Sequence, residues 1–328
     1  MDIPLQLIDD VEATVPDLLP LPGITGIGIG LREDNEEFFD ELAVRILVSD
    51  ATNVPAGIPN DISGFPICIV EFPIEPLFTP DTTRYTNLPG GSQIEQAPLA
   101  AGTLGAIVQD QAGKLLGLTN HHVAGDPGTM IWQPTAPQII AGSGPPDLTD
   151  AIGEVVAAES PMTQTIPVPS GPELLLGREI DAATISLDEA TNQGRTISDA
   201  ILDNFGVITA TTSPTLKMFI KKRGSQTGPT SGFIAGQVLV SPFVFGSPPP
   251  GHSYVMSRSW EIFYNPAGCP DGIISRGGDS GALVLRDGTQ TAVGLLWGGN
   301  PTGGHRAMMC DITKVEERLG VTVAWSAP

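Results

Sequence analysis

A chain of 328 residues with 41% hydrophobic and 16% charged side chains has enough apolar content for two or three compact units with cores of their own. Its net charge of -21 would repel nucleic acid and anionic lipid, so neither is expected as a partner. The counts of Gly 39 and Pro 31, set among plentiful Val, Ile and Thr, predict short strands joined by many turns, and long amphipathic helical patterns are scarce.

The first twenty residues lack a basic start, an apolar centre and a small-residue cleavage site, so no secretory signal is expected. No apolar run reaches the roughly eighteen residues of a membrane span. "ITGIGIGLRE" (24 to 33), "LAVRILVS" (42 to 49) and "FPICIVEF" (65 to 72) read as three strands, with the acidic "EDNEEFFDE" as a surface connection between the first two. The glycines at 26, 28 and 30 do not make a dinucleotide loop, because a charged loop follows them where that fingerprint needs a helix. These strands predict a small N-terminal α+β domain, which with its linker takes up residues 1–90, and the Pro- and Gly-rich stretch from 75 to 102 reads as a linker or an extended crossing segment.

From 103 the pattern changes. "GTLGAIVQDQAGKLLGLTNHHV" is strand, turn and strand, and "REIDAATISL" (178 to 187) is another strand. Residues 188 to 206 are polar and partly helical, a segment suited to joining two halves. Hairpins are expected over 217 to 240 and over 281 to 299, the second with Asp287-Gly288 at its tip. A helix is predicted over 311 to 320, capped by Asp311 or Thr313 and ended by Gly320. Many short strands without βαβ alternation favour barrels or a sandwich.

Three segments carry chemistry. In "GGDSGALV", Ser280 stands between Gly278-Asp279 and Gly281, and glycine at 278 allows backbone N–H groups to turn towards a developing oxyanion. A nucleophilic serine needs a base, and the chain has four histidines: His121 and His122 in "TNHHVAG", His252 in a Pro-rich loop and His305 in a Gly-rich one. The base needs a carboxylate that fixes its tautomer, and Asp181 opens the apolar strand "DAATISL". Taken singly, each has an ordinary structural reading as a turn or surface residue. Cys68, Cys269 and Cys310 are odd in number and widely spaced, with no metal-binding pattern and no disulfide framework, so no metal or cofactor is expected and the default setting is a reducing, cytoplasmic one.

Together, "TNHHVAG", "EIDAATISL" and "GGDSGALV", in that order and followed by "VGLLWGG" (293 to 299), resemble the catalytic segments of chymotrypsin-like serine peptidases. The resemblance covers roughly residues 100 to 328, within a peptidase domain expected over 91–328. It implies a mainly β fold of two six-stranded β-barrels, the first over about 100–195 and the second over about 205–328, preceded by the small α+β domain. It implies His122 as base, because the family places the histidine before a small apolar residue, Asp181 as its orienter, Ser280 as nucleophile, and the N–H groups of Gly278 and Ser280 as oxyanion hole. The specificity pocket would have Ile274 at its base and Leu296, Trp297 and Gly298 on its walls, so an apolar or aromatic side chain is expected at the cleaved position. A looser resemblance, carried by "GITGIGIG", "LAVRILV", "IPNDISGFPICIVEF", "LPGGSQI" and "IKKRGSQTGPTSG", extends over nearly the whole chain to bacterial trypsin-like proteins and plant narrow-leaf type proteins.

The expected activity is that of a serine endopeptidase acting on protein or peptide substrates. The alternatives are a catalytically silent scaffold of the same fold, binding segments by strand addition along "LLWGG", and an esterase using the same triad. A homo-oligomer is compatible with the sequence. In many secreted relatives a cleaved N-terminus pairs with the aspartate before the serine. No such cleavage site is recognisable before 103, so the expectation is either that Asp279 is held in some other way or that the oxyanion hole forms only conditionally.

Overall fold

The structure, a computed structural model, describes residues 2–72, 83–96, 100–135, 149–160, 162–168, 171–175, 178–243, 252–269, 271–300 and 304–325. Strands dominate, as the composition predicts. Six of them close into a barrel in the order Phe219–Gly224, Gly228–Phe243, His252–Tyr264, Arg306–Asp311, Thr291–Gly299, Leu283–Arg286, which returns to the first. A second sheet curls into a half-barrel and contains Gln93–Gln96, Ala100–Thr103, Ala106–Asp110, Leu115–Thr119, Met130–Trp132, Ala151–Glu159 and Ala182–Ser186. One apolar core runs between the two. Val108, Leu116 and Leu118 of the curled sheet pack with Leu283, Leu285, Leu295 and Trp297 of the closed barrel. This is the chymotrypsin-like double-barrel architecture.

The three N-terminal strands form as read, at Ile24–Asp34, Glu37–Val48 and Phe65–Glu71. The acidic stretch between the first two is not a loose connection. Pairing continues to Asp34↔Glu37, and the chain reverses through Asn35 and Glu36, both at positive φ (49° and 66°). That is the twist-matched two-residue turn that right-handed strands favour. Ile24–Asp34 then pairs with Gly228–Phe243 of the barrel, with Ile29 opposite Gln237, so the hairpin continues the barrel's sheet outward. Above it lies a helix, Leu5–Leu18, that no sequence signal was assigned to. Its Leu7, Val11, Val15 and Leu18 repeat at helical spacing and are buried against Ile27, Ile29, Val44 and Ile46.

The expected linker is structured where described: Asn87–Gly90, Gln93–Gln96 and Ala100–Thr103 are strands, while residues 73–82 and 97–99 lie outside the described residues. The C-terminal helix, Ile312–Leu319, begins at Asp311, whose carboxylate accepts the Thr313 N–H at 2.9 Å, and ends at left-handed Gly320. Beyond it, Val321–Thr322 crosses back to pair with Ala106–Asp110 of the curled sheet.

Candidate active site

Strand register brings the histidine and the aspartate together. Ala182–Ser186 pairs antiparallel with Leu115–Thr119, Ala183 facing Thr119. Two residues beyond that pair, the chain places Asp181 level with the two histidines. His121 and His122 lie not at the end of a strand, as the apolar run predicts, but on a helical turn, His121–Ala124. The turn points the two rings in different directions. His122 is 7% exposed and its Nδ1 bonds Asp181 Oδ2, while its backbone N–H donates to Oδ1 of the same carboxylate at 3.1 Å. His121 instead meets Asp126 through Nε2 at 3.1 Å. Asn120, which the sequence reading passed over, donates from Nδ2 to the Asp181 carbonyl at 2.6 Å, and the Asp181 N–H donates to Cys310 Sγ at 3.3 Å. Burial, reinforced by the nearby Asp181 carboxylate, raises the Cys310 thiol well above the ordinary cysteine range. A carboxylate on Nδ1 keeps the proton there and makes Nε2 the basic nitrogen.

Ser280 sits on a turn between Gly278 (φ 93°) and Gly281 (φ 92°). Glycine is needed at 281 twice over. An L residue rarely adopts that φ, and a Cβ there would lie 2.3 Å from both the Thr103 carbonyl and Thr119 Oγ1. Hydrogen bonds hold the serine turn to the curled sheet through Thr103 and to the closed barrel through Ser225. Thr103 N–H donates to the Ser280 carbonyl at 2.7 Å, Thr103 Oγ1 to the Gly278 carbonyl at 2.7 Å, and Ser225 Oγ to that carbonyl at 2.7 Å. Gly102 lies between the two halves of the site: a Cβ on it would be 2.5 Å from the Val123 side chain and 2.9 Å from the Ser280 carbonyl. The residue after His122 and the serine turn are thus separated by one glycine's thickness. Ser280 Oγ donates to the Trp297 carbonyl at 3.3 Å. Among the described residues, no backbone hydrogen bond takes up the N–H of Gly278 or of Ser280.

Asp279 is held by an internal lysine. Lys222 Nζ bonds Asp279 Oδ2 at 2.7 Å, and both side chains are 0% exposed. The carboxylate also accepts the N–H groups of Gln226 (2.9 Å), Thr227 (3.1 Å) and Arg276 (3.1 Å), and Thr227 Oγ1 at 2.7 Å. Burial alone would raise its pKa. The Lys222 ammonium and the other donors outweigh burial and hold it below the ordinary carboxylate value. Lys222 has fewer partners, so for it burial wins over the attraction of Asp279 and its pKa is lowered. The sequence signal was available in "IKKRG": Ile220, Lys222 and Gly224 face inward along the strand while Phe219, Lys221 and Arg223 do not, which puts one lysine in the barrel interior.

Of the residues expected around a specificity pocket, Ile274, Leu296 and Trp297 are buried, and Trp297 Nε1 donates to Ser259 Oγ at 3.2 Å. Ile274 N–H donates to the Gly304 carbonyl at 2.9 Å, and its own carbonyl accepts Thr230 Oγ1 at 2.9 Å. Gly298 pairs with Met308. His305 lies apart from His122, bonded through Nδ1 to Glu36 at 2.7 Å, and the side chain of His252 lies outside the described residues. Among the described residues, no cluster of His, Cys, Asp or Glu is arranged to hold a metal.

A double barrel with a His–Asp pair on one half and a glycine-flanked serine on the other has the fold of the chymotrypsin-like serine proteases. Solved structures similar to it include proteases from several sources. Thermobifida fusca Protease A is 16% identical over 72% of this chain and 97% of its own (TM-score 0.46). Nocardiopsis protease is 16% identical over 72% and 98% (0.45), and an alpha-lytic protease homolog is 16% identical over 72% and 99% (0.45). No family model and no curated protein matches the sequence.

Proposed function

We propose that the protein is a serine endopeptidase. The observation that carries this reading is the buried His122–Asp181 pair, whose next residue, Val123, is separated from the Ser280 carbonyl only by Gly102. In the reaction Ser280 Oγ leaves the Trp297 carbonyl, gives its proton to His122 Nε2 and attacks the substrate carbonyl carbon. Asp181 keeps the imidazole oriented and stabilises the imidazolium. The N–H groups of Gly278 and Ser280 take the oxyanion of the tetrahedral intermediate. Collapse of that intermediate breaks the C–N bond, and His122 passes its proton to the departing amine. Water, deprotonated by the same imidazole, then attacks the acyl-enzyme and frees Ser280.

The substrate is a protein or peptide segment, and three free cysteines fit work in a reducing, cytoplasmic setting. The test is intact-mass labelling with a fluorophosphonate. One adduct is expected on the wild type and none on Ser280→Ala. No adduct on a folded wild type, or an equal adduct on the variant, refutes the reading.

A further inference from the structure

The N-terminal hairpin is tied through charge to the segment that adjoins Ile274, the expected base of the substrate pocket. Glu33 and Arg45 of the hairpin form a closed ring with Glu261 and Arg306 of the barrel. Arg45 Nη2 meets Glu33 at 2.8 Å and Glu261 at 2.9 Å, Arg306 Nη1 meets Glu261 at 2.5 Å, and Arg306 Nη2 closes the ring on Glu33. Each of the four is less than a tenth exposed, from 0% for Glu261 to 7% for Glu33. Two cations face two carboxylates, so the ring is neutral and each member has two opposite neighbours. A second tether lies at the hairpin's turn, where Glu36 accepts from His305, whose ring stacks on Tyr264 at 4.3 Å.

Both tethers end on residues 304 to 306. That segment is the support of Ile274 and Ser275: the Gly304 carbonyl accepts the Ile274 N–H, and Gly304 bridges Ser275. Packing does not do this work alone, because a cleft of about 410 Å³ opens between hairpin and wall, lined by Glu36, Glu71, Phe72, Asn300 and His305. Ser275 adds a separate sign of a binding surface. It is 0% exposed, and its hydroxyl has no partner among the described residues, although it lies 2.8 Å from where a Cβ on Gly299 would be. Buried hydroxyls are normally paired, and an unpaired one beside an apolar floor fits a group that a ligand completes.

We infer that the hairpin is a fixed part of the substrate pocket, with Glu33 and Glu36 as positioning residues that hold residues 304 to 306 against Ile274 and Ser275. This rests on the peptidase reading for its substrate, but its structural half can be tested without activity. The experiment uses full-length wild type, Glu33→Gln and Glu36→Ala, the last lying on an exposed turn where folding is not at risk.

The first readout is amide hydrogen exchange. Exchange at Ile274 should accelerate about threefold to fivefold in Glu36→Ala, the scale of a partly exposed charge pair, and tenfold or more in Glu33→Gln, which breaks a buried ring. Protection over 283–286 and 291–296 should stay as in the wild type, which separates a local support from a general loss of stability. The second readout is steady-state cleavage of a peptide the wild type accepts: KM should rise in the same order as the exchange rates, with kcat changing less. Unchanged Ile274 exchange in Glu36→Ala and in any folded Glu33→Gln overturns the inference, as does a fall in kcat at constant KM. A wild type that takes no fluorophosphonate defeats the peptidase reading, and the exchange arm still decides whether the hairpin holds the wall.

Discussion

Replacing Lys222 by methionine keeps a side chain of similar length and removes only the ammonium. Asp279 would then be a fully buried carboxylate without its cation. Breaking a buried pair on one side costs about 3–5 kcal/mol. Asp279 would keep four donors, the N–H groups of Gln226, Thr227 and Arg276 and the Thr227 hydroxyl, so the low end, about 3 kcal/mol, applies. Asp279 is the residue between the two proposed oxyanion donors, so the cost falls on the serine turn first. At 1.4 kcal/mol for each factor of ten, a 3 kcal/mol bias against the seated turn slows labelling of Ser280 about a hundredfold, close to the effect of removing an oxyanion donor. The assay is the second-order rate of fluorophosphonate labelling beside the urea unfolding midpoint. Adding Asp279→Asn should recover about 2 kcal/mol of stability by discharging the buried group, while labelling stays slow because the turn has lost its charged anchor. Labelling of Lys222→Met at the wild-type rate, with stability within about 1 kcal/mol of the wild type, would refute the argument.

The same pair sets a pH response. Asp279 has a folded pKa below its ordinary 3.8, so its contribution to stability is present above that value and is lost as pH falls through the folded value; Asp279→Asn should flatten that part of the acid unfolding curve. Because Lys222 is lowered from 10.5, labelling should decline on the alkaline side before an ordinary lysine titrates, and an unchanged rate up to that pH contradicts it. Asp181→Asn should reduce kcat about 10⁴-fold through the wrong imidazole tautomer, with the fold retained by circular dichroism. Gly102→Ala puts a methyl group between Val123 and the Ser280 carbonyl, so it should cost about 1–3 kcal/mol in unfolding free energy and slow labelling, and a variant that unfolds and labels as the wild type contradicts this.

What could be read from the sequence follows the physics of each segment. The Ser280 turn was legible because its glycines answer to local geometry, a positive φ and a close backbone. The helix 312–319 was legible because Asp311 and Gly320 are local caps. The strands at 87–90 and 100–103 were not, because "NLPG" and "AAGT" have little intrinsic strand preference and are ordered by partners elsewhere in the chain. The helix 5–18 carries Pro16, which speaks against a helix, and its apolar stripe outweighs that through burial on the hairpin. His122 could be picked over His121 only by resemblance, and the turn at 121–124 supplies the physical reason that one ring faces Asp181 and the other Asp126. The ion ring of Glu33, Arg45, Glu261 and Arg306 joins residues far apart in the chain, which no local pattern announces.

The crossing of Val321–Thr322 back to Ala106–Asp110, reinforced by Trp325 Nε1 donating to the Ile107 carbonyl at 2.8 Å, also bears on biosynthesis. The curled sheet carrying His122 and Asp181 emerges from the ribosome well before the strand that lies along its edge. Until then that edge offers unpaired backbone groups to any extended neighbour, a liability for a chain still being made. The late strand therefore does for the nascent chain what a cap does for a finished sheet, and it arrives only after the serine turn has been translated. A nascent chain stopped short of it would hold all three proposed catalytic residues on an incompletely edged scaffold.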